Sequence, residues 1–127
     1  MHDNGAAHRD LKLENIFLDK NCVPKLADFG LMKKFKMASG QEVMLRTALG
    51  TQGYMAPEVV NQETYEGPPV DVFACGVMLF MMVTGKPPFS DQGDEFHKYL
   101  MKNPRDCCNR RHITISDDAL NLCIKML

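Results

Sequence analysis

Net charge is almost absent: 15 Lys and Arg stand against 16 Asp and Glu, for a formal charge of −1. The chain therefore lacks the bulk field that draws a protein onto nucleic acid or an anionic membrane, although a local charged site is not excluded. Cysteines are few, five in all, at 22, 75, 107, 108 and 123, with no C-x-x-C pair and no repeated spacing. Their odd number and scatter argue against a disulfide framework and against a zinc knuckle. Reduced thiols in the cytoplasm or nucleus are the simpler account, and an intracellular protein is expected. Long apolar runs are missing too. The longest, 72–83, falls short of the roughly 20 residues that span a bilayer and suits a buried helix. The first residues, Met1-His2-Asp3-Asn4-Gly5, hold neither a basic region nor an apolar core, so no signal peptide is expected. No internal repeat and no low-complexity segment is evident.

What remains has an ordinary globular balance. The 127 residues are 45% apolar and 24% charged, enough for one modest domain with a hydrophobic core and too apolar for disorder. Ten methionines, several within 78–82, are read as core filler rather than as a sulfur or metal site. Ile16-Phe17-Leu18 and Val23-Pro24-Lys25-Leu26 flank the polar turn Asp19-Lys20-Asn21 and predict a small hairpin with its proline on an accessible edge. Residues 31–55 show no period, as functional or mobile loops do. Pro57 predicts a short helix over 57–61, and Pro68 and Pro69 mark a break. Asp71 then precedes a helix, apolar on every face, that ends near Thr84 with Gly85 as its cap and Pro87-Pro88 as its stop. Such a helix is expected to be buried all round. A short amphipathic helix is predicted over 94–101, stopped before Pro104. A last helix opens at Ser116, with Leu120, Cys123, Ile124 and Leu127 along one face.

The chemistry lies in an ordered series of motifs. His8-Arg9-Asp10-Leu11-Lys12-Leu13-Glu14-Asn15 is followed by Asp28-Phe29-Gly30, then by Gly50-Thr51-Gln52-Gly53-Tyr54-Met55-Ala56-Pro57-Glu58. In that order they resemble the catalytic loop, the metal-binding loop and the GTxxYxAPE segment of eukaryotic protein kinases. Asp71-Val72-Phe73-Ala74-Cys75-Gly76-Val77 resembles the DxWxxG start of the kinase central helix, with Phe73 where Trp is usual. Thr84-Gly85-Lys86-Pro87-Pro88-Phe89 resembles the GxxPF stop after it. One such tripeptide alone would be an ordinary turn, but the series covers essentially all 127 residues. The resemblance implies a mainly α fold with a small β-hairpin, the large C-terminal lobe of the protein-kinase fold. Residues 1–127 would be a partial kinase domain: catalytic loop 8–15, DFG 28–30, activation segment 28–58 and central helix about 71–84. It further implies a Ser/Thr kinase using ATP and Mg²⁺, most similar to the calcium/calmodulin-dependent and AMP-activated kinase group.

Residue by residue, the resemblance implies these roles. Asp10 orients the attacking hydroxyl and accepts its proton, and Lys12 contacts the γ-phosphate. Asn15 and Asp28 are oxygen donors suited to Mg²⁺, and Gly30 lets the loop turn after Asp28. Lys12 and Thr51 match the Ser/Thr form, so the partners would be protein substrates with Ser or Thr acceptors. Glu14 matches a carboxylate that meets a substrate Arg, with Met81 where some relatives carry a second acid; a solvated loop carboxylate is the alternative. Thr47, four residues before Thr51, matches an activation phosphosite for an upstream activating kinase, with Arg9 as receptor of the phosphate. An unmodified loop threonine is the alternative there. Asp71 is expected to accept backbone N–H bonds from around His8 and Arg9, because a buried carboxylate requires such partners. Glu58 matches a carboxylate whose Arg partner would lie past Leu127.

The Gly-rich loop, strand lysine and helix glutamate of an active kinase would all precede His8. The chain is thus expected to begin inside a longer protein, without the N-terminal lobe or the last helices, and to be inactive by itself. Its central helix would leave an apolar patch exposed. A noncatalytic kinase-like scaffold or interaction module is the alternative, against which Asp10, Asn15 and Asp28 speak. A small Mg²⁺-binding protein is a third reading with little support.

Overall fold

The structure, a computed structural model that describes residues 1–37, 39–89 and 94–127, opens on a 3-10 turn, His2–Asn4, and the two-residue strand β1, Ala6–Ala7. A second 3-10 turn, Leu13–Asn15, leads into the hairpin formed by β2 (Ile16–Leu18) and β3 (Pro24–Leu26). Leu18 faces Pro24 at the last rung of this antiparallel pair, so the residue without an N–H sits where the ladder ends. Strand β4, Lys33–Lys34, pairs back on β1 with Ala6 opposite Lys34 and Ala7 opposite Lys33. The sequence pattern predicts no strand within 31–55, because two residues are too few to show an alternation.

Helix α1, Pro57–Val60, carries its proline in the first turn. Helix α2, Gly67–Thr84, runs for 18 residues and corrects the expected start at Asp71. Pro68 and Pro69 do not break the chain. They occupy the first helical turn, where backbone N–H groups have no intrahelical partner to lose. Asp71 accordingly lies inside the helix. Its C-terminus is Gly85, left-handed at φ 69, whose N–H reaches the Met81 carbonyl, a conformation glycine adopts without a Cβ penalty. Helix α3, Asp94–Lys102, is followed by α4, Pro104–Arg110. Pro104 ends one helix and opens the next, for the same reason that prolines are tolerated in α2. Helix α5, Asp117–Met126, is capped by the Ser116 hydroxyl, which accepts the Ala119 N–H at 3.3 Å.

Helix α2 serves two cores. Its Val70, Phe73 and Val77 join Ala7, Phe35, Leu45, Ala56, Val59 and Tyr65. Its Phe80 joins Cys108, Ile113, Ile115, Leu120 and Cys123 from α4, α5 and the loop between them. Where α2 meets α5, a Cβ on Gly76 would stand 2.8 Å from the Met126 Cβ, so glycine permits the close approach. Not every face of α2 is covered: Val72, Met82 and Val83 are exposed, Met82 at 65%. By length and composition α2 could cross a membrane, but half of it is buried within the protein, as in the core helix of a folded domain. Beyond α2, Arg111 donates to the Pro87 and Pro88 carbonyls, and Lys86 donates to the Arg111 carbonyl. These bonds fasten the proline stop to the end of α4.

Candidate active site

The loop between β1 and β2 is held by a carboxylate 62 residues away. Asp71, 2% exposed, accepts the His8 and Arg9 N–H groups on its two oxygens, each at 2.8 Å. The His2 Nε2 lies 2.7 Å from the same carboxylate. Placing Asp71 in the second turn of the most buried helix fixes the loop to the core, and the three donors offset the burial of its charge. Arg9 is left-handed at φ 68, a conformation that costs a non-glycine residue roughly 1–2 kcal/mol and that the Asp71 bonds help to hold. Next to it, His8 is 1% exposed. Its Nε2 meets the Ala27 carbonyl at 3.2 Å and its Nδ1 accepts the Asp10 N–H at 3.3 Å. Both contacts are met by a neutral ring protonated on Nε2. The Phe29 ring packs edge-on against it, centroids 5.4 Å apart.

Asp10, Lys12, Thr51 and Asn15 come together. The Thr51 hydroxyl donates to Asp10 Oδ1 at 2.7 Å. The Lys12 ammonium donates to Thr51 Oγ1 at 2.7 Å and lies 3.0 Å from Asp10 Oδ2. Asn15 Nδ2 donates to the Asp10 backbone carbonyl at 3.0 Å. Burial alone would lift the Asp10 carboxyl above its ordinary value. The hydrogen bonds from Thr51 and Lys12 and the Lys12 charge outweigh it and hold the group below that value. The Lys12 ammonium is raised in turn, first by its hydrogen bond to Asp10. The result is an ionised carboxylate beside a fixed cation, with its two oxygens oriented by different donors.

Asp28 is exposed and left-handed at φ 59. Its Oδ1 accepts the Gly30 N–H at 3.2 Å, and its charge reaches Lys12. The sequence places the permissive residue of this turn at Gly30, but Gly30 has no positive φ and the left-handed residue is Asp28 itself. Space still matters at Gly30, where a Cβ would approach Asp28 Oδ1 to 3.2 Å. As for metal, no group of three His, Cys, Asp or Glu occurs among the described residues, which excludes a closed protein cage there. Among the described residues, the Asn15 side chain bonds Asp10 through Nδ2 and Asp28 accepts the Gly30 N–H on Oδ1, with no hydrogen bond to the Asn15 amide oxygen or to the second Asp28 oxygen. Two hard oxygen donors fit Mg²⁺, which keeps waters and phosphate oxygens in its shell.

The remaining predicted residues lie around this centre. The Glu14 carboxylate is exposed and accepts the Tyr54 hydroxyl at 3.2 Å. Burial first, then Glu14, pushes the Tyr54 phenol above its ordinary value. Among the described residues no hydrogen bond joins the Thr47 hydroxyl to Arg9. Arg9 Nε donates to the Leu31 carbonyl at 2.8 Å and its Nη1 to the Tyr65 hydroxyl at 3.2 Å, and that hydroxyl donates to the Thr47 carbonyl at 2.8 Å. Glu58 sits apart on α1 and its side chain makes no ion pair among the described residues. Sequence reasoning missed His2, Tyr54 and Tyr65. Tyr54 could have been found, since it lies inside the GTxxYxAPE segment; nothing local marks the other two.

The chain matches the protein kinase domain family over residues 1–127. It is 40% identical over 126 residues to the SNF1-like protein kinase ssp2 of Schizosaccharomyces pombe, covering 99% of this chain and 21% of that protein. It is 47% identical over 102 residues to human NUAK family SNF1-like kinase 1, covering 80% of this chain and 14% of that one. CBL-interacting protein kinase 5 of rice (Oryza sativa subsp. japonica) is 44% identical over 90 residues, 71% of this chain and 19% of its own length. The chain thus spans about a fifth or less of these relatives. With a match along its whole length and with the catalytic-loop and DFG residues assembled as described, the chain belongs to the protein kinase domain family.

Proposed function

We propose that this chain is part of an intracellular Ser/Thr protein kinase that transfers the γ-phosphate of ATP to hydroxyls of protein substrates. The carrying observation is the triad of Asp10, Thr51 and Lys12, drawn from segments 41 residues apart and closed by two hydrogen bonds of 2.7 Å. Phosphoryl transfer asks for an aligned hydroxyl and compensated charge rather than covalent help. Asp10, ionised at neutral pH, accepts the hydrogen bond of the incoming Ser or Thr hydroxyl and takes up its proton as the bond to phosphorus forms. Lys12 stands beside it with a fixed positive charge for the transferred group. Asn15 and Asp28 would hold Mg²⁺, which when bound compensates the charge of the phosphate oxygens. Glu14, with one oxygen on Tyr54, offers its charge to a basic substrate residue.

Thr47 is exposed and open to an upstream kinase. A phosphate there would carry nearly two negative charges within a segment already joined to Arg9. The names of two further relatives, the putative serine/threonine-protein kinase YPL150W of Saccharomyces cerevisiae and the CBL-interacting serine/threonine-protein kinase 20 of Arabidopsis thaliana, support the Ser/Thr reading. A noncatalytic scaffold is the second reading, and the intact Asp10, Asn15 and Asp28 weigh against it.

Peptides with Ser, Thr or Tyr as sole acceptor, incubated with labelled MgATP and the full-length protein, test the proposal. Label on Ser and Thr peptides is expected; label confined to Tyr peptides, or none, would overturn it. The 127 residues by themselves carry no Gly-rich loop or strand lysine for the phosphates and are expected to transfer nothing in the same assay.

A further inference from the structure

Tyr65 lies in the connection between α1 and α2, outside every motif, yet it touches the segment that follows DFG in three ways. Its backbone N–H and C=O exchange reciprocal bonds with Leu45, both 2.8 Å. Its hydroxyl donates to the Thr47 carbonyl and accepts from Arg9 Nη1. The ring is 3% exposed and belongs to the α2 core. A phenol both donates and accepts, so one buried oxygen joins the carbonyl of residue 47 to the guanidinium of residue 9. Arg9 carries the link onward through Nε to the Leu31 carbonyl, just past Gly30. Polar links matter here because packing is incomplete: a cavity of about 20 Å³ lies beside Tyr65, lined also by Arg9, Asp10, Leu49 and Thr51. That space is the size of one water.

We propose that Tyr65 is a positioning residue that holds the activation segment on the catalytic loop while Thr47 is unmodified, and so keeps Thr51 on Asp10. The link rests on the kinase reading only for its effect on turnover; its effect on the segment does not. Tyr65→Phe removes one oxygen and leaves the ring in its core. In the full-length protein, unphosphorylated at Thr47, amide exchange of Leu45 to Thr51 is expected to quicken about 5- to 100-fold, the worth of the two hydrogen bonds that the hydroxyl makes. kcat on a Ser peptide should fall by a similar factor, with KM for ATP and exchange in α5 unchanged. Wild-type exchange in the segment, or faster exchange with undiminished kcat, would overturn the proposal. If wild-type protein shows no transfer beyond an Asp10→Asn blank, the kinase reading fails, while the exchange comparison still decides whether Tyr65 holds the segment.

Discussion

Asp10 stands between opposed influences. Burial disfavours its charge, while Thr51 and Lys12 favour it and prevail. A carboxyl whose folded value is depressed stabilises the fold fully above its unfolded value of about 3.9, and that contribution is lost as pH falls through the lower folded value. On the proposed kinase reading the same balance governs catalysis. Lys12→Met in the full-length protein removes a hydrogen bond and a charge, leaving burial less opposed, so the acid limb of kcat/KM should move to higher pH. A pH–rate profile with an unmoved limb would contradict this. Asp10, Lys12, Asn15, Asp28 and Thr51 were legible in the sequence because they belong to an ordered motif series. His2 and Tyr65 were not, because their contacts to Asp71 and Arg9 cross 69 and 56 residues and leave no local pattern. The bridge through Tyr65 also changes what Arg9 does: its side chain already has partners, rather than waiting alone for a phosphate.

Among the elements, α2 does most to place the site. It contributes Asp71 to the catalytic loop, Phe73 and Val77 to one core, and Phe80 to the other. Its existence was legible from uninterrupted apolarity and its end from Gly85. Its start was not, since a proline pair reads equally as a break or as a first turn. The ribbon of β1 and β4 was hidden by its brevity, and α4 by the proline that both stops α3 and starts it. Close packing of α2 on α5 gives a test at this scale. Gly76→Ala places a methyl 2.8 Å from the Met126 Cβ and 3.2 Å from a Leu127 methyl. Helix propensity favours alanine by about 1 kcal/mol, but overpacking costs typically 1–3 kcal/mol. The net effect should be a lower denaturation midpoint with an unchanged slope; a midpoint at or above wild type would show that the two helices part without strain.

The whole molecule is a partly covered body. Phe17, Leu18, Val23 and Phe29 are exposed around the hairpin and the DFG turn, and Val72, Met82 and Val83 along α2. Cys107, Cys108 and Cys123 are buried, and burial raises their thiols above the ordinary range, which fits packing rather than redox chemistry. What the molecule assembles is a carboxylate aimed by the core, through Asp71, and set electrically by Lys12 and Thr51. The most direct measurement of that account is single-turnover phosphoryl transfer to a Ser peptide by the full-length protein and its Asp10→Asn form, with MgATP binding measured alongside. General-base assistance contributes typically 10²–10⁴-fold, so transfer should fall by at least about 100-fold with MgATP affinity unchanged. Transfer within a few-fold of wild type would contradict the account.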